Sequence, residues 1–274
     1  MRPNLRARSV LLTMLLLTLG TVTSAHDFWI EPSTFQPTLA EAVRIHLRVG
    51  ERFSGDAVAR NGARIERFVV VGPSGERPVI GRDGMDPAGL LRLDAPGLWA
   101  VGYRSKPGPV QLGADAFEQY LREEGLERII EDRAARKESR MPGREQFSRS
   151  VKSLLRSAGT AAGEGYDRTL GMTLELVLNA DPAAAGSGRV PVTLLHEGRA
   201  LPGALVVAYR KDSGGAVATE ELRARTGADG RVTLAMKPGV WLLKAVHMER
   251  APAGSGADWT SVWTALTFQV PMQP

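Results

Sequence analysis

The chain contains no cysteine and only four histidines among its 274 residues. Without cysteine the fold has no disulfide bonds, and any metal site must use nitrogen or oxygen ligands, or methionine sulfur. The chain also lacks a Gly-x-Ser-x-Gly turn, a His-Glu-x-x-His helix and a phosphate-binding glycine loop. These absences exclude a cysteine nucleophile and the common hydrolase, zinc protease and nucleotide-binding motifs.

Long apolar segments are missing as well, and the longest one belongs to a leader. Arg2, Arg6 and Arg8 precede an apolar run of about ten residues, which is too short to span about 30 Å of hydrocarbon. Small residues then end the segment at Ala25. This pattern predicts a signal peptide over residues 1–25. We expect a soluble mature protein, periplasmic or secreted, with no stable membrane insertion.

The charge of the mature chain gives little reason to expect nucleic-acid binding. Three of the 35 basic residues lie in the leader, so 32 remain against 30 acidic residues, and the pI of 9.8 overstates the basic character. The basic residues are scattered and have no aromatic residues interleaved among them. Nucleic acid is therefore not an expected partner.

About 249 residues remain after the leader, and their pattern predicts a mainly β fold of two domains. In residues 43–49 apolar and basic side chains alternate with the period of two that is typical of a half-buried strand. Similar short segments end at Pro and Gly turns. We predict two Ig-like or transthyretin-like β-sandwiches, over residues 26–112 and 166–274.

Residues 113–165 interrupt the β pattern and predict a helical insertion and a linker. Apolar residues recur at helical spacing from Phe117 to Ile130, and again over residues 145–158, where Phe147, Val151, Leu154 and Leu155 share one face. The turn at 141–143 separates these stretches, which predicts a helical hairpin. Small residues at 159–165 form the linker.

One pattern occurs twice, at residues 89–99 and 230–241. Each copy has a strand-like segment, a Pro-Gly turn and a second strand with tryptophan two residues after the glycine. The repeat supports two sandwiches of similar plan.

Two of the four histidines have ordinary structural explanations. His46 lies between two arginines on the polar face of its strand, and their charges disfavour metal binding. His196 ends a predicted strand just before a turn. His247 shares a strand face with Trp241, and a hairpin return would place Asp258 almost opposite it. His247 and Asp258 are therefore candidate metal ligands, alongside the alternative of a structural hydrogen bond.

Cleavage after Ala25 would make His26 the first residue of the mature protein. Its free α-amine and its imidazole could then chelate one cation, because an α-amine titrates near pH 8 and an imidazole near 6.5. Asp27 is a candidate ligand or orienting partner of the ring. The alternative is that a histidine follows the cleavage site by chance.

Several stretches together resemble the DUF4198 family. They are AHDFWIEP at residues 25–32, YRSKP at 103–107, FEQYLREEGL at 117–126 and WLLKAVH at 241–247 with 258–259. The resemblance implies a periplasmic component of a nickel or cobalt uptake system, with a metal ion and a membrane uptake system as partners. His46 and His196 match none of these motifs.

The sequence thus predicts a non-catalytic protein that binds a divalent transition metal, Ni, Co, Cu or Zn, through His26, Asp27, His247 and Asp258. Two alternatives remain open at this point. A copper-dependent oxidative enzyme would use the same terminal histidine, and a structural or adhesive sandwich protein would need no metal.

Overall fold

A large central β-sheet lies between two smaller sheets in the part of the chain that the structure describes. The computed structural model describes residues 26–157, 163, 165–185, 188–212, 214–215 and 217–272. The predicted signal peptide at 1–25 and most of the predicted linker at 159–165 lie outside these residues. The predicted mainly β, sandwich-like fold is confirmed.

The central sheet takes strands from both halves of the chain. Across it the strands follow the order β14 (Glu220–Arg225), β13 (Leu205–Lys211), β16 (Gly239–Arg250), β17 (Trp259–Val270), β9 (Gly143–Arg156), β7 (Leu98–Ser105), β4 (Ile65–Gly72) and β5 (Gly75–Pro78), and β8 (Gly108–Leu112) also pairs with β9. The halves meet where β9 pairs with β17 in parallel; β9 pairs with β7 antiparallel. The two sandwiches therefore share one sheet.

Each smaller sheet belongs to one half of the chain. The N-terminal sheet contains β1 (Asp27–Pro32), β2 (Val43–Glu51), β3 (Ser54–Val58) and β6 (Gly89–Leu91). The C-terminal sheet contains β10 (Leu174–Leu178), β11 (Arg189–His196), β12 (Arg199–Ala200) and β15 (Arg231–Ala235).

Side chains along β16 show that the smaller sheets cover opposite faces of the central sheet. Trp241, Leu243 and Ala245 pack in one core with the apolar residues of the C-terminal sheet. Leu242 packs in a second core with those of the N-terminal sheet. Successive side chains of a strand point to opposite faces. On β16 the odd-numbered residues therefore face the C-terminal core, and the even-numbered residues face the N-terminal side.

Helices cover the remainder of the N-terminal side of the central sheet. They are α1 (Ala114–Glu123) and α2 (Glu127–Ala135). A short third helix, α3 (Pro182–Ala185), lies elsewhere in the chain and precedes β11. A separate apolar cluster joins α1 and α2 to the sheet through Phe117, Leu121, Ile129, Met248, Trp259 and Trp263. Within the described residues no helix has the length and apolar composition needed to cross a bilayer.

The predicted helical hairpin is correct in its first part and wrong in its second. Residues 117–130 form the pair α1 and α2, but residues 145–156 belong to strand β9, and Ala158 lies outside the described residues. In β9, Val151 and Leu155 face the N-terminal core, while Leu154 faces the C-terminal core. A strand that is buried on both faces does not alternate between apolar and polar residues, so its spacing resembled that of a helix.

The repeated turn pattern is confirmed in detail. In each copy a short strand of a smaller sheet leads through the Pro-Gly turn into a strand of the central sheet. Gly97 and Gly239 have φ of 134° and 140°, a conformation that glycine adopts without strain. Trp99 and Trp241 each donate the indole N–H to the carbonyl four residues earlier, at 3.1 and 2.9 Å. Each tryptophan packs in the core of its own half.

Candidate functional site

Two histidines meet between the central sheet and the C-terminal sheet. His247 of β16 continues the face formed by Trp241, Leu243 and Ala245, and His196 is the last residue of β11 in the sheet that covers this face. Their ring centroids are 4.2 Å apart, with an angle of 45° between the ring planes. The fold thus brings two imidazoles into contact from strands that are distant in sequence.

The surroundings of His247 keep its ring uncharged at neutral pH. Its side chain is only 16% exposed, and this burial, followed by the effects of His196 and Arg128, lowers the pKa of His247 from 6.5 to about 4. A neutral imidazole is the form that binds a metal ion. Glu249 lies on the same strand with its Oε2 atom 3.9 Å from His247 Nε2.

The donor set is suited to a divalent transition metal but is incomplete. Imidazole and carboxylate groups bind Ni, Co, Cu and Zn ions. No group of three or more His, Asp or Glu side chains among the described residues is already placed to hold a metal ion. A cavity of about 450 Å³ opens beside His247, lined also by Leu126, Arg128, Leu201 and Arg225. This opening gives a ligand from solution a route to the ring.

His26 lies beside the N-terminal sheet. Its Nε2 atom is 3.4 Å from Glu51 Oε1, and the side chain is 36% exposed. The following residue, Asp27, starts β1 and pairs with Gly50 of β2. The start of the predicted mature chain is therefore held as an edge strand.

Asp27 belongs to a buried cluster of charges. Lys244 of β16 donates to Asp27 Oδ1 at 2.6 Å and to Glu124 Oε1, just after α1, at 2.7 Å. All three side chains are at most 10% exposed. One cation thus ties together the N-terminal strand, the helices and the central sheet.

Burial dominates the protonation behaviour of the two acids in this cluster. It raises the pKa of Asp27 and of Glu124, and the attraction of Lys244 offsets only part of that rise. Burial also opposes the charge on Lys244, but its two carboxylate partners outweigh it and hold the pKa of Lys244 above its ordinary value. Asp27 therefore pairs with Lys244 and not with His26.

The structure does not bring His26 and His247 together. Asp27 contacts Lys244, whose side chain points to the N-terminal side of β16. His247 is three residues further along the same strand, so its side chain points to the opposite, C-terminal side, where it contacts His196. The central sheet therefore separates the two histidines. A single site formed by His26, Asp27, His247 and Asp258 is not present.

Asp258 also lies away from the position that the predicted hairpin implied. β16 and β17 do form an antiparallel hairpin, but His247 pairs with Val262, and Trp259 pairs with Arg250. Asp258 therefore lies four residues before the partner of His247, about 13 Å along the strand. Arg144 binds both carboxylate oxygens of Asp258, at 2.7 and 3.0 Å, and these hydrogen bonds lower the pKa of Asp258.

The remaining histidine has a structural partner. His46 lies on β2, and its Nδ1 atom is 2.8 Å from Asp86 Oδ1. Sequence reasoning missed His196, Lys244 and Glu124 as site residues. A signal existed for two of these three residues, because Glu124 and Lys244 lie inside two of the motifs that carried the family resemblance.

The low pKa of His247 predicts a dependence of stability on pH. The folded-state pKa of about 4 lies below the ordinary 6.5, so the folded state binds a proton at His247 less readily than the unfolded state. The resulting contribution of His247 to the unfolding free energy is complete above pH 6.5 and is lost as the pH falls through 4. Between these values the unfolding free energy of the wild type should fall by about 3 kcal/mol more than that of His247→Gln. Urea unfolding across this pH range measures the difference. Parallel curves for wild type and His247→Gln would contradict the assignment.

The buried cluster predicts a large cost for removing its cation. Lys244→Met leaves two buried carboxylates without a partner, so it should lower the unfolding free energy at pH 7 by about 3–5 kcal/mol. The loss should be smaller at pH 4.5, where a protonated carboxyl needs no counter-charge. Adding Asp27→Asn and Glu124→Gln should restore much of the stability.

Lys237→Met is the matched control, because Lys237 is 64% exposed in its pair with Glu220. Its effect should stay within about 0.5 kcal/mol. Denaturant titrations of the four proteins test this prediction, and a Lys244→Met variant as stable as the wild type would refute it.

Comparison with known proteins agrees with the resemblance found in the motifs. No curated protein matches this chain. The family model DUF4198, a domain of unknown function, matches residues 23–249 and so spans β1, the helices and the strand that bears His247. The chain belongs to the DUF4198 family.

Proposed function

We propose that the protein binds a divalent transition metal ion at the paired imidazoles of His196 and His247 and takes part in handling that ion outside the cytoplasm. The observation that carries this proposal is the contact between the two rings, 4.2 Å between centroids, with His247 held in its neutral form. Metal–nitrogen bonds are about 2.0–2.1 Å long, so two imidazoles on one ion lie side by side in near contact.

The surroundings of the pair support reversible binding. Glu249 is near enough to supply an oxygen ligand after a small side-chain movement, and water from the adjoining cavity fills the other positions. The positive charge of Arg128 opposes a bound cation and weakens its hold. A site with few protein ligands and a nearby cation is suited to passing an ion on rather than storing it.

The wider role follows from sequence features. The leader pattern supports export to the periplasm, and the family resemblance supports delivery of nickel or cobalt to a membrane uptake system. No covalent chemistry is part of the proposal. The alternative of a copper-dependent oxidative enzyme needs a second histidine beside His26, and His247 lies across the central sheet from it.

Isothermal titration calorimetry with Ni²⁺, Co²⁺, Cu²⁺ and Zn²⁺ on the processed protein tests the site. His196→Ala and His247→Ala should each weaken metal binding by about 10- to 100-fold or more. Mutation of a residue that only supports a metal ligand already weakens binding by about that range. His26→Ala and His46→Ala should bind like the wild type, because neither ring faces the pair.

A form with one methionine added before His26 completes the design. It blocks chelation by the terminal amine while leaving the paired imidazoles intact, so its affinity should equal that of the processed protein. Loss of binding in the extended form and in His26→Ala, with normal binding in His247→Ala, would overturn the proposal in favour of a terminal-histidine site.

A further inference from the structure

A second cavity opens at the edge of the N-terminal sandwich, on the opposite side of the central sheet from the histidine pair. Its volume is about 360 Å³, within the size range of small-molecule sites. Apolar and aromatic side chains form most of its wall, including Phe28, Val49, Tyr103 and Phe147. The described residues that line it include arginine but neither aspartate nor glutamate.

Arg149 of β9 places a cation in this wall. Its guanidinium carbon lies 4.5 Å from the ring centroid of Phe28 and 5.5 Å from that of Phe147. Its Nη1 atom is buried and has no hydrogen-bond partner among the described residues. An unpaired buried guanidinium nitrogen is costly, since a charged donor loses its water without gaining an acceptor.

The groups around Arg149 do not neutralise its positive charge. Burial lowers the pKa of Arg149 to about 10, Tyr103 opposes this shift, and Arg64 adds to it by repulsion. Asp27 attracts the guanidinium, but its carboxylate is already bound to Lys244. Arg64, which also lines the cavity, donates to the carbonyl of Pro107. The cavity therefore holds two positive charges against an apolar wall.

We propose that this cavity binds a small organic anion, a monocarboxylate with an aromatic or aliphatic body, whose carboxylate pairs with Arg149. The planar guanidinium matches the geometry of a carboxylate, and the charged hydrogen bonds satisfy the buried Nη1 atom. The body of the ligand packs against Val49 and the aromatic rings. This site is separate from the proposed metal site.

The shape of the wall argues for a carboxylate with an apolar body over a fully hydrated anion. Inorganic phosphate would gain the charge but would leave the wall of Phe28, Val49 and Phe147 facing water. A neutral amide of the same shape would gain the apolar contacts but would leave the two guanidinium charges without a counter-ion. Only a ligand that has both a carboxylate and an apolar body neutralises the guanidinium groups and also covers the apolar wall.

The test is calorimetric titration of the processed protein with 3-phenylpropanoate, 3-phenylpropanamide and inorganic phosphate. The carboxylate should bind about 10- to 100-fold more tightly than the amide, the range that a lost charged hydrogen bond gives. It should also bind more tightly than phosphate, and added salt should weaken it. Equal binding of carboxylate and amide, tighter binding of phosphate, or no binding of the carboxylate would overturn the proposal.

Variants locate the site. Arg149→Met should weaken 3-phenylpropanoate binding by about 10- to 100-fold, and Arg149→Lys should lose less because it keeps the charge. Arg64→Met provides an independent check if Arg149→Met fails to fold, and it should weaken binding by several-fold. Circular dichroism and thermal unfolding report the folding of each variant.

Arg104→Met is the matched control. Arg104 precedes Ser105 on β7, points to the other face of the strand and pairs with Glu66 at 3.0 Å. It should bind the carboxylate like the wild type, as should His247→Ala. Unchanged binding in both Arg149→Met and Arg64→Met would show that the carboxylate binds elsewhere.

Discussion

The parallel pairing of β9 with β17 is the interaction on which the rest of the structure depends. It joins strands of the N-terminal half to strands of the C-terminal half, and the resulting central sheet is covered on both faces. β9 therefore has to be buried on two sides, which explains its buried ion pair. Lys152 meets Glu175 at 2.8 Å, with both side chains only 3% exposed, where the C-terminal sheet packs against β9. Without this pairing the central sheet would divide between β17 and β9.

A shared sheet gives the protein two chemically different sides. The C-terminal side holds the imidazole pair of His196 and His247, of which the His247 ring is uncharged, and imidazole suits Ni, Cu and Zn ions. The N-terminal side holds the ion cluster of Asp27, Lys244 and Glu124 and, farther along the same face, the guanidinium of Arg149. Stacked sheets lie about 10 Å apart, so groups on opposite faces cannot share one small ligand. The proposed cation site and the proposed anion site therefore lie on opposite faces of the central sheet.

Local pattern predicted most of the strands but few of the contacts that form sites. β2 was predictable because apolar and basic side chains alternate along it, and the two Pro-Gly turns mark the starts of β7 and β16. β9 was not, because burial on both faces removes the alternation that marks a strand. His247 was recognised from its strand face, but its partner was not. His196 lies on another sheet, and the contact depends on how two layers stack, which a short stretch of sequence does not encode. The same holds for Lys244, which is 217 residues from Asp27.

The central sheet separates His26 from His196 and His247, the pair at which we propose that a metal ion binds. The most direct measurement is NMR of the four histidine rings in selectively ¹⁵N-labelled processed protein, titrated with a substoichiometric amount of Cu²⁺. Single His→Gln variants assign the four signals. The His196 and His247 signals should broaden first and together while those of His26 and His46 stay sharp. Broadening of His26 with an unaffected His247 would contradict it.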